Sequence, residues 1–95
     1  MIKAVWNGQT IAEATTAQSV DGYTYFPAEA VHWELLKPSP TASVCYWKGK
    51  ASYYSVVVDG KENPDAAWCY RDPSPAASHI KGQIGFWRGV KIVKG

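Results

Sequence analysis

CYWKGKASYYSVVVDGKENPDAAWCY, residues 45 to 70, holds six of the chain's thirteen aromatic residues and both of its cysteines. Asp59-Gly60 lies near its centre. Both residues tolerate positive φ and follow a β-branched run, which is the signature of a tight hairpin turn. Before the turn, Ala51 to Val58 places Ser52, Tyr54, Val56 and Val58 on one strand face and Tyr53, Ser55 and Val57 on the other. Apolar groups on both faces predict a sheet that is covered on both sides. After the turn, Asn63-Pro64-Asp65 has turn chemistry and is read as leading into a strand from Ala66 to Tyr70.

The same turn signal recurs at Asn7-Gly8 and Asp21-Gly22. The remaining expected strands are Lys3 to Trp6, Thr10 to Ala14, Gln18 to Val20, Tyr23 to Phe26, Ala42 to Lys48, Gln83 to Trp87 and Val90 to Val93. Two segments break the pattern. Ala28 to Leu36 follows Pro27, spaces Val31 and Leu35 four apart and reads as a short helix ended by Lys37-Pro38. A second helix is expected from Pro75, with Ser74 as its cap and Gly82 just past its end. Pro38 to Pro40 and Asp72 to Pro75 read as corners. The expected fold is mainly β: a small β-sandwich or partly closed barrel, with two short helices over an edge or an open end.

A chain of 95 residues, 46% of them hydrophobic, suits one domain spanning residues 1–95. Ten basic against eight acidic residues give a net charge of +2, without the dense Lys/Arg clustering of a dedicated nucleic-acid binder. Nucleic acid is therefore not the expected partner. Met1 is followed by IKAVWNG, a short alternating run that reaches a turn before a signal-peptide core can form, and no stretch approaches membrane-spanning length. A cytoplasmic protein without membrane association is expected, with Cys45 and Cys69 as free thiols in a reducing compartment.

AVWNG at Ala4 to Gly8, YFP at Tyr25 to Pro27, CYWKGKASYY at Cys45 to Tyr54, NPDAAWCY at Asn63 to Tyr70 and FWRGV at Phe86 to Val90 together carry a resemblance to a known family. The chain closely resembles the bacterial domain-of-unknown-function 427 family, which is sometimes labelled nucleotidyltransferase-like. The resemblance implies a small, mainly β fold, a homodimer, and a pocket lined by shared polar and aromatic residues. The motifs do not support the nucleotidyltransferase label. That chemistry needs paired carboxylates to align a triphosphate with two metal ions. Here Asp59 and Asp65 are separated by a predicted turn, Asp72 lies beyond another strand, and no phosphate loop of the P-loop type occurs.

Three residues are candidates for chemistry. Cys45 invites a nucleophile role. If Ala42 to Lys48 is a regular strand, however, Cys45 shares a face with Trp47 and not with Lys48, which favours a buried thiol packed beside Trp47. Lys48, at a strand end before Gly49, is placed either to hold a carboxylate or phosphate or to sit as a solvated edge lysine. Asp65 suits backbone hydrogen bonding in its turn, with a ligand contact or general base as the sharper alternative. Beside them, Trp68 and Tyr70 share a strand face and make an aromatic wall. His32, His79, Cys45 and Cys69 could be combined on paper as zinc ligands, but no two lie nearer than ten residues, so no metal or other cofactor is expected.

Three functions fit these residues. The first is a module that binds a small planar or anionic ligand between Trp47, Tyr54, Trp68 and Trp87, with Lys48 and Asp65 orienting it. The second is a small enzyme in the same pocket, drawing on Cys45, Lys48, Tyr53, Asp65 or Tyr70. The third is a homodimeric interaction protein whose aromatics anchor the interface. The first, on a homodimeric scaffold, is the expectation carried forward.

Overall fold

Asn7, Asp21 and Asp59 take φ values of 51°, 53° and 52°, and each is followed by a glycine with positive φ. Two successive left-handed residues give the hairpin turn whose twist matches that of the flanking strands. Arg88-Gly89 makes a fourth such pair, at 54° and 87°. The computed structural model describes residues 1–95 and hangs nine strands on these and other turns. They are β1 (Ile2–Trp6), β2 (Gln9–Ala14), β3 (Gln18–Val20), β4 (Tyr23–Phe26), β5 (Leu36–Cys45), β6 (Gly49–Val58), β7 (Lys61–Cys69), β8 (Ile84–Phe86) and β9 (Lys91–Lys94).

The strands form two antiparallel sheets, ordered β2-β1-β9 and β3-β4-β8-β7-β6-β5. They do not close into a barrel, and side chains from both meet in one core. Between the sheets lies a core in which Ala4, Ile11 and Ala12 of the small sheet meet Phe26, Tyr54, Val56, Val58, Ala67, Ile84 and Phe86 of the large one. Ile11, Phe26 and Val56 are fully buried, each contributing on the order of 1.5–3 kcal/mol by leaving water. The outer face of the large sheet carries a second cluster: Tyr25, Ala51, Trp68, Tyr70, Ala77 and Ile80, with Tyr53, Trp87, Trp47 and Cys45 packed against it. Tyr54, Val56 and Val58 therefore face one core while Ala51 and Tyr53 face the other, so β6 is covered on both sides as its alternation predicts.

Neither expected helix forms as an α-helix. Ala28 to Leu36 holds two single 3-10 turns, Ala28–Ala30 and Trp33–Leu35. Val31 between them is extended and bridges to Ala12, and the His32 amide donates to the Ile11 carbonyl at 2.8 Å. Pairing with β2 outcompetes helix propagation in so short a segment. The second is a kinked 3-10 stretch, Pro75–Ile80, with no side-chain cap at Ser74.

Three further local expectations are corrected. Pro38 and Pro40 lie inside β5, beside a break in its register, and are not corners. Proline is tolerated there because β5 is the edge strand. Asn63-Pro64-Asp65 lies inside β7 as a bulge against Ser55, with Asp65 at φ 53° and its amide donating to Ser55 Oγ at 3.2 Å. The strand predicted over Ala42 to Lys48 stops at Cys45, which pairs with Gly49, so Tyr46 to Lys48 form the hairpin loop.

Candidate functional site

A row of directly paired residues crosses the outer face of the large sheet. Tyr25 on β4 pairs with Gly85 on β8, Gly85 with Trp68 on β7, and Trp68 with Tyr53 on β6. Gly85 is the gap in the row and Trp68 fills it: a Cβ at Gly85 would lie 2.7 Å from the indole. The rings around Trp68 meet it edge to face, Tyr23 at 5.0 Å, Trp87 at 5.3 Å and Tyr25 at 5.9 Å between centroids. Such pairing fixes each ring by its neighbours. The result is a cleft of about 120 Å³ lined by Tyr23, Tyr25, Lys48, Tyr53, Trp68, Tyr70 and Trp87.

Lys48 is the one charged residue of the lining, and it is 6% exposed. The hairpin loop that carries it is pinned from below: the Ser74 amide donates to the Lys48 carbonyl at 2.9 Å, and the Ser74 hydroxyl donates to the Trp47 carbonyl. Its ammonium lies 2.8 Å from Asp21 Oδ2 and 5.2 and 5.7 Å from the ring centres of Trp47 and Tyr70. Burial alone lowers an ammonium's pKa, but the Asp21 hydrogen bond and the neighbouring Tyr25 and Tyr70 hydroxyls outweigh it, and Lys48 is held above its ordinary value. Burial pushes Tyr70 up to about 12, with Lys48 opposing the rise. It also raises Tyr25, against the Trp68 indole N–H that donates to its hydroxyl at 3.2 Å. At neutral pH the cleft therefore presents one ammonium and protonated hydroxyls.

Of the residues singled out from sequence, Lys48, Tyr53, Trp68, Tyr70 and Trp87 line this cleft. Trp47 packs at its margin, under the Lys48 ammonium. Tyr54 does not belong: it points into the inter-sheet core, where its ring meets Trp33 at 5.4 Å and its hydroxyl accepts from Arg71 at 2.9 Å. Asp65 is also outside. The Ser39 and Thr41 side chains on β5, helped by the Arg88 charge, hold its carboxyl below the usual range. Its contribution to the cleft is indirect, through a backbone carbonyl that accepts from the Trp87 indole at 2.6 Å. Cys45 is a half-buried free thiol that packs with the outer cluster, and Cys69 is a buried free thiol. Because Lys48 lies on a loop, face alternation does not separate it from Cys45.

Sequence reading missed Asp21, Tyr23 and Tyr25. The two tyrosines alternate along a predicted strand and so share a face, a signal that was present. The Asp21 to Lys48 pairing spans two hairpins and leaves no trace in local pattern.

No helix is long and apolar enough to cross a membrane. Comparison with curated proteins finds no match. A family model described as a domain of unknown function (DUF427) matches residues 1–94, and the chain belongs to that family.

Proposed function

We propose that the protein is a binding module that holds a small planar ligand in the outer-face cleft, stacked among Trp68, Trp87, Tyr23 and Tyr53 and oriented by Lys48. The observation that carries this reading is a buried ammonium at the side of an otherwise aromatic, open cleft. Asp21 matches its charge, but burying even a paired ammonium costs desolvation, and a core position would be filled more cheaply by an apolar side chain. The cleft, about 120 Å³, is well below the roughly 300–1,000 Å³ of drug-sized sites, which favours a single-ring compound.

Binding is favoured over catalysis by the ionisation of the lining. General acid–base groups work best near the operating pH. Lys48, Tyr25 and Tyr70 are all raised, away from neutrality. Their role as fixed hydrogen-bond donors is unaffected.

The scaffold is proposed to be a homodimer, supported by the edge strand β5 and the hairpin loop that follows it, which expose Val44 (79%) and Tyr46 (97%) beside unpaired backbone. A cytoplasmic location is proposed from the two free thiols. A thermal-shift screen of single-ring metabolites against wild type and Lys48→Met tests the ligand reading. Stabilisation that depends on Lys48 is expected, and a flat screen counts against it. Sedimentation equilibrium tests the dimer, for which the mass of two chains is expected and that of one contradicts it.

A further inference from the structure

We infer that Asp21 stands in the place of the ligand's anionic group: the cleft takes a small planar monoanion, an aromatic carboxylate, which displaces the Asp21 carboxylate from Lys48. This rests on the reading that the cleft binds a planar ligand, and it adds the ligand's charge and the residue that competes with it.

The pair is asymmetric in a way that makes it exchangeable. The Lys48 side chain is 8% exposed and its loop is pinned by Ser74, whereas the Asp21 side chain is 53% exposed. Lys48 cannot leave, but Asp21 can return to water by a small movement. Asp21 belongs to the two-residue turn between β3 and β4, and β3 is a three-residue edge strand paired on one side only. This is among the least anchored segments of the large sheet.

Charge balance selects the incoming group. Six of the seven lining residues are aromatic, and Tyr25 and Tyr70 keep their protons, so the lining holds a single positive charge. Arg88, stacked 4.7 Å from the Trp87 ring, is an exposed residue and water-screened. A ligand anion that joined Asp21 on Lys48 would leave an uncompensated negative charge in a partly desolvated site. A monoanion that replaces Asp21 preserves neutrality, and a dianion such as a phosphate monoester does not.

Asp21→Asn isolates the effect, because asparagine accepts positive φ and keeps the turn while the charge is removed. Wild type, Asp21→Asn and Lys48→Met are titrated with benzoate, phenyl phosphate and benzamide. Benzoate is expected to bind Asp21→Asn about tenfold more tightly than wild type, the factor that about 1.4 kcal/mol represents. Benzamide affinity is expected to be unchanged, phenyl phosphate to bind wild type less well than benzoate, and Lys48→Met to lose the benzoate preference while still taking benzamide. Independently, Asp21→Asn is expected to melt at a lower temperature than wild type, and acetate is expected to remove the difference by occupying the vacated position. Should Lys48→Met fail to fold, the Asp21→Asn comparison and the acetate rescue decide alone. Benzamide binding without any gain for benzoate in Asp21→Asn overturns the exchange and leaves the cleft reading standing. Failure of all three compounds to bind wild type or Asp21→Asn overturns both.

Discussion

The indole of Trp68 lies across the backbone of Gly85, close enough that a methyl group there would sit 2.7 Å from the ring. Here the need for glycine is steric, since Gly85 is not among the residues with positive φ. Gly85→Ala must push Trp68 up into the cleft or spread β7 from β8. Overpacking of this kind costs about 1–3 kcal/mol, which for a domain of this size lowers Tm by roughly 5–20 °C. Differential scanning calorimetry should show that drop, and the variant should lose ligand-dependent stabilisation as well.

Alkaline pH should unfold the protein through the cleft. Tyr70 ionises at about 12 in the folded chain against 10.0 for the free side chain, and Lys48 is raised from 10.5. Both groups hold more protons folded than unfolded, so stability is present below about pH 10 and falls as pH rises from there. For Tyr70 the two-unit difference amounts to about 2–3 kcal/mol by pH 12. Urea melts across this range should steepen in wild type and flatten in Tyr70→Phe.

Asp65 should act at the opposite end of the pH scale and outside the site. Its carboxyl is held low by Ser39 and Thr41, so its contribution is present above pH 3.8 and is lost as pH falls through its lower folded value. Asp65→Asn should blunt the acid limb of the stability profile while leaving ligand binding intact. Asp65→Ala, forced to the same φ of 53° without an Asx side chain, should cost about 1–2 kcal/mol at neutral pH as measured by denaturant melts. Loss of ligand binding in Asp65→Asn would return the carboxylate to the site.

The thiols should differ in reactivity. Cys45 is half-buried, whereas Cys69 is 3% exposed within the core. Alkylation of the native protein followed by mass spectrometry should modify Cys45 alone, with Cys69 reacting after denaturation. Both cysteines remaining unmodified until denaturant is added would contradict the partial exposure of Cys45.

What was legible in the sequence was whatever short-range chemistry decides. Asx-Gly pairs placed the hairpins because left-handed backbone is costly for other residues, and the alternation in β6 revealed two cores because side chains on a strand must take opposite sides. What failed were elements fixed by distant partners. Val31 is extended because β2 is beside it, and Lys48 turns away from its strand because Ser74 holds the loop. Tyr54 and Asp65 had suitable chemistry but lie elsewhere: the first is on the opposite face of β6, and the second turns to β5 at a bulge. Trp68 and Tyr70 join the same outer cluster, as their two-residue spacing implies, although β7 ends at Cys69 between them.

The account's central claim is that the outer-face cleft is a ligand site, and the chain carries a reporter for it in the indole N–H groups of its five tryptophans, Trp6, Trp33, Trp47, Trp68 and Trp87. Their nitrogen-15 correlated resonances should be followed while benzoate and benzamide are titrated into the full chain. The account predicts saturable shifts at Trp68 and Trp87, a smaller one at Trp47, and none at Trp6 or Trp33. Shifts confined to Trp6 and Trp33, or no shift at any of the five, would contradict it.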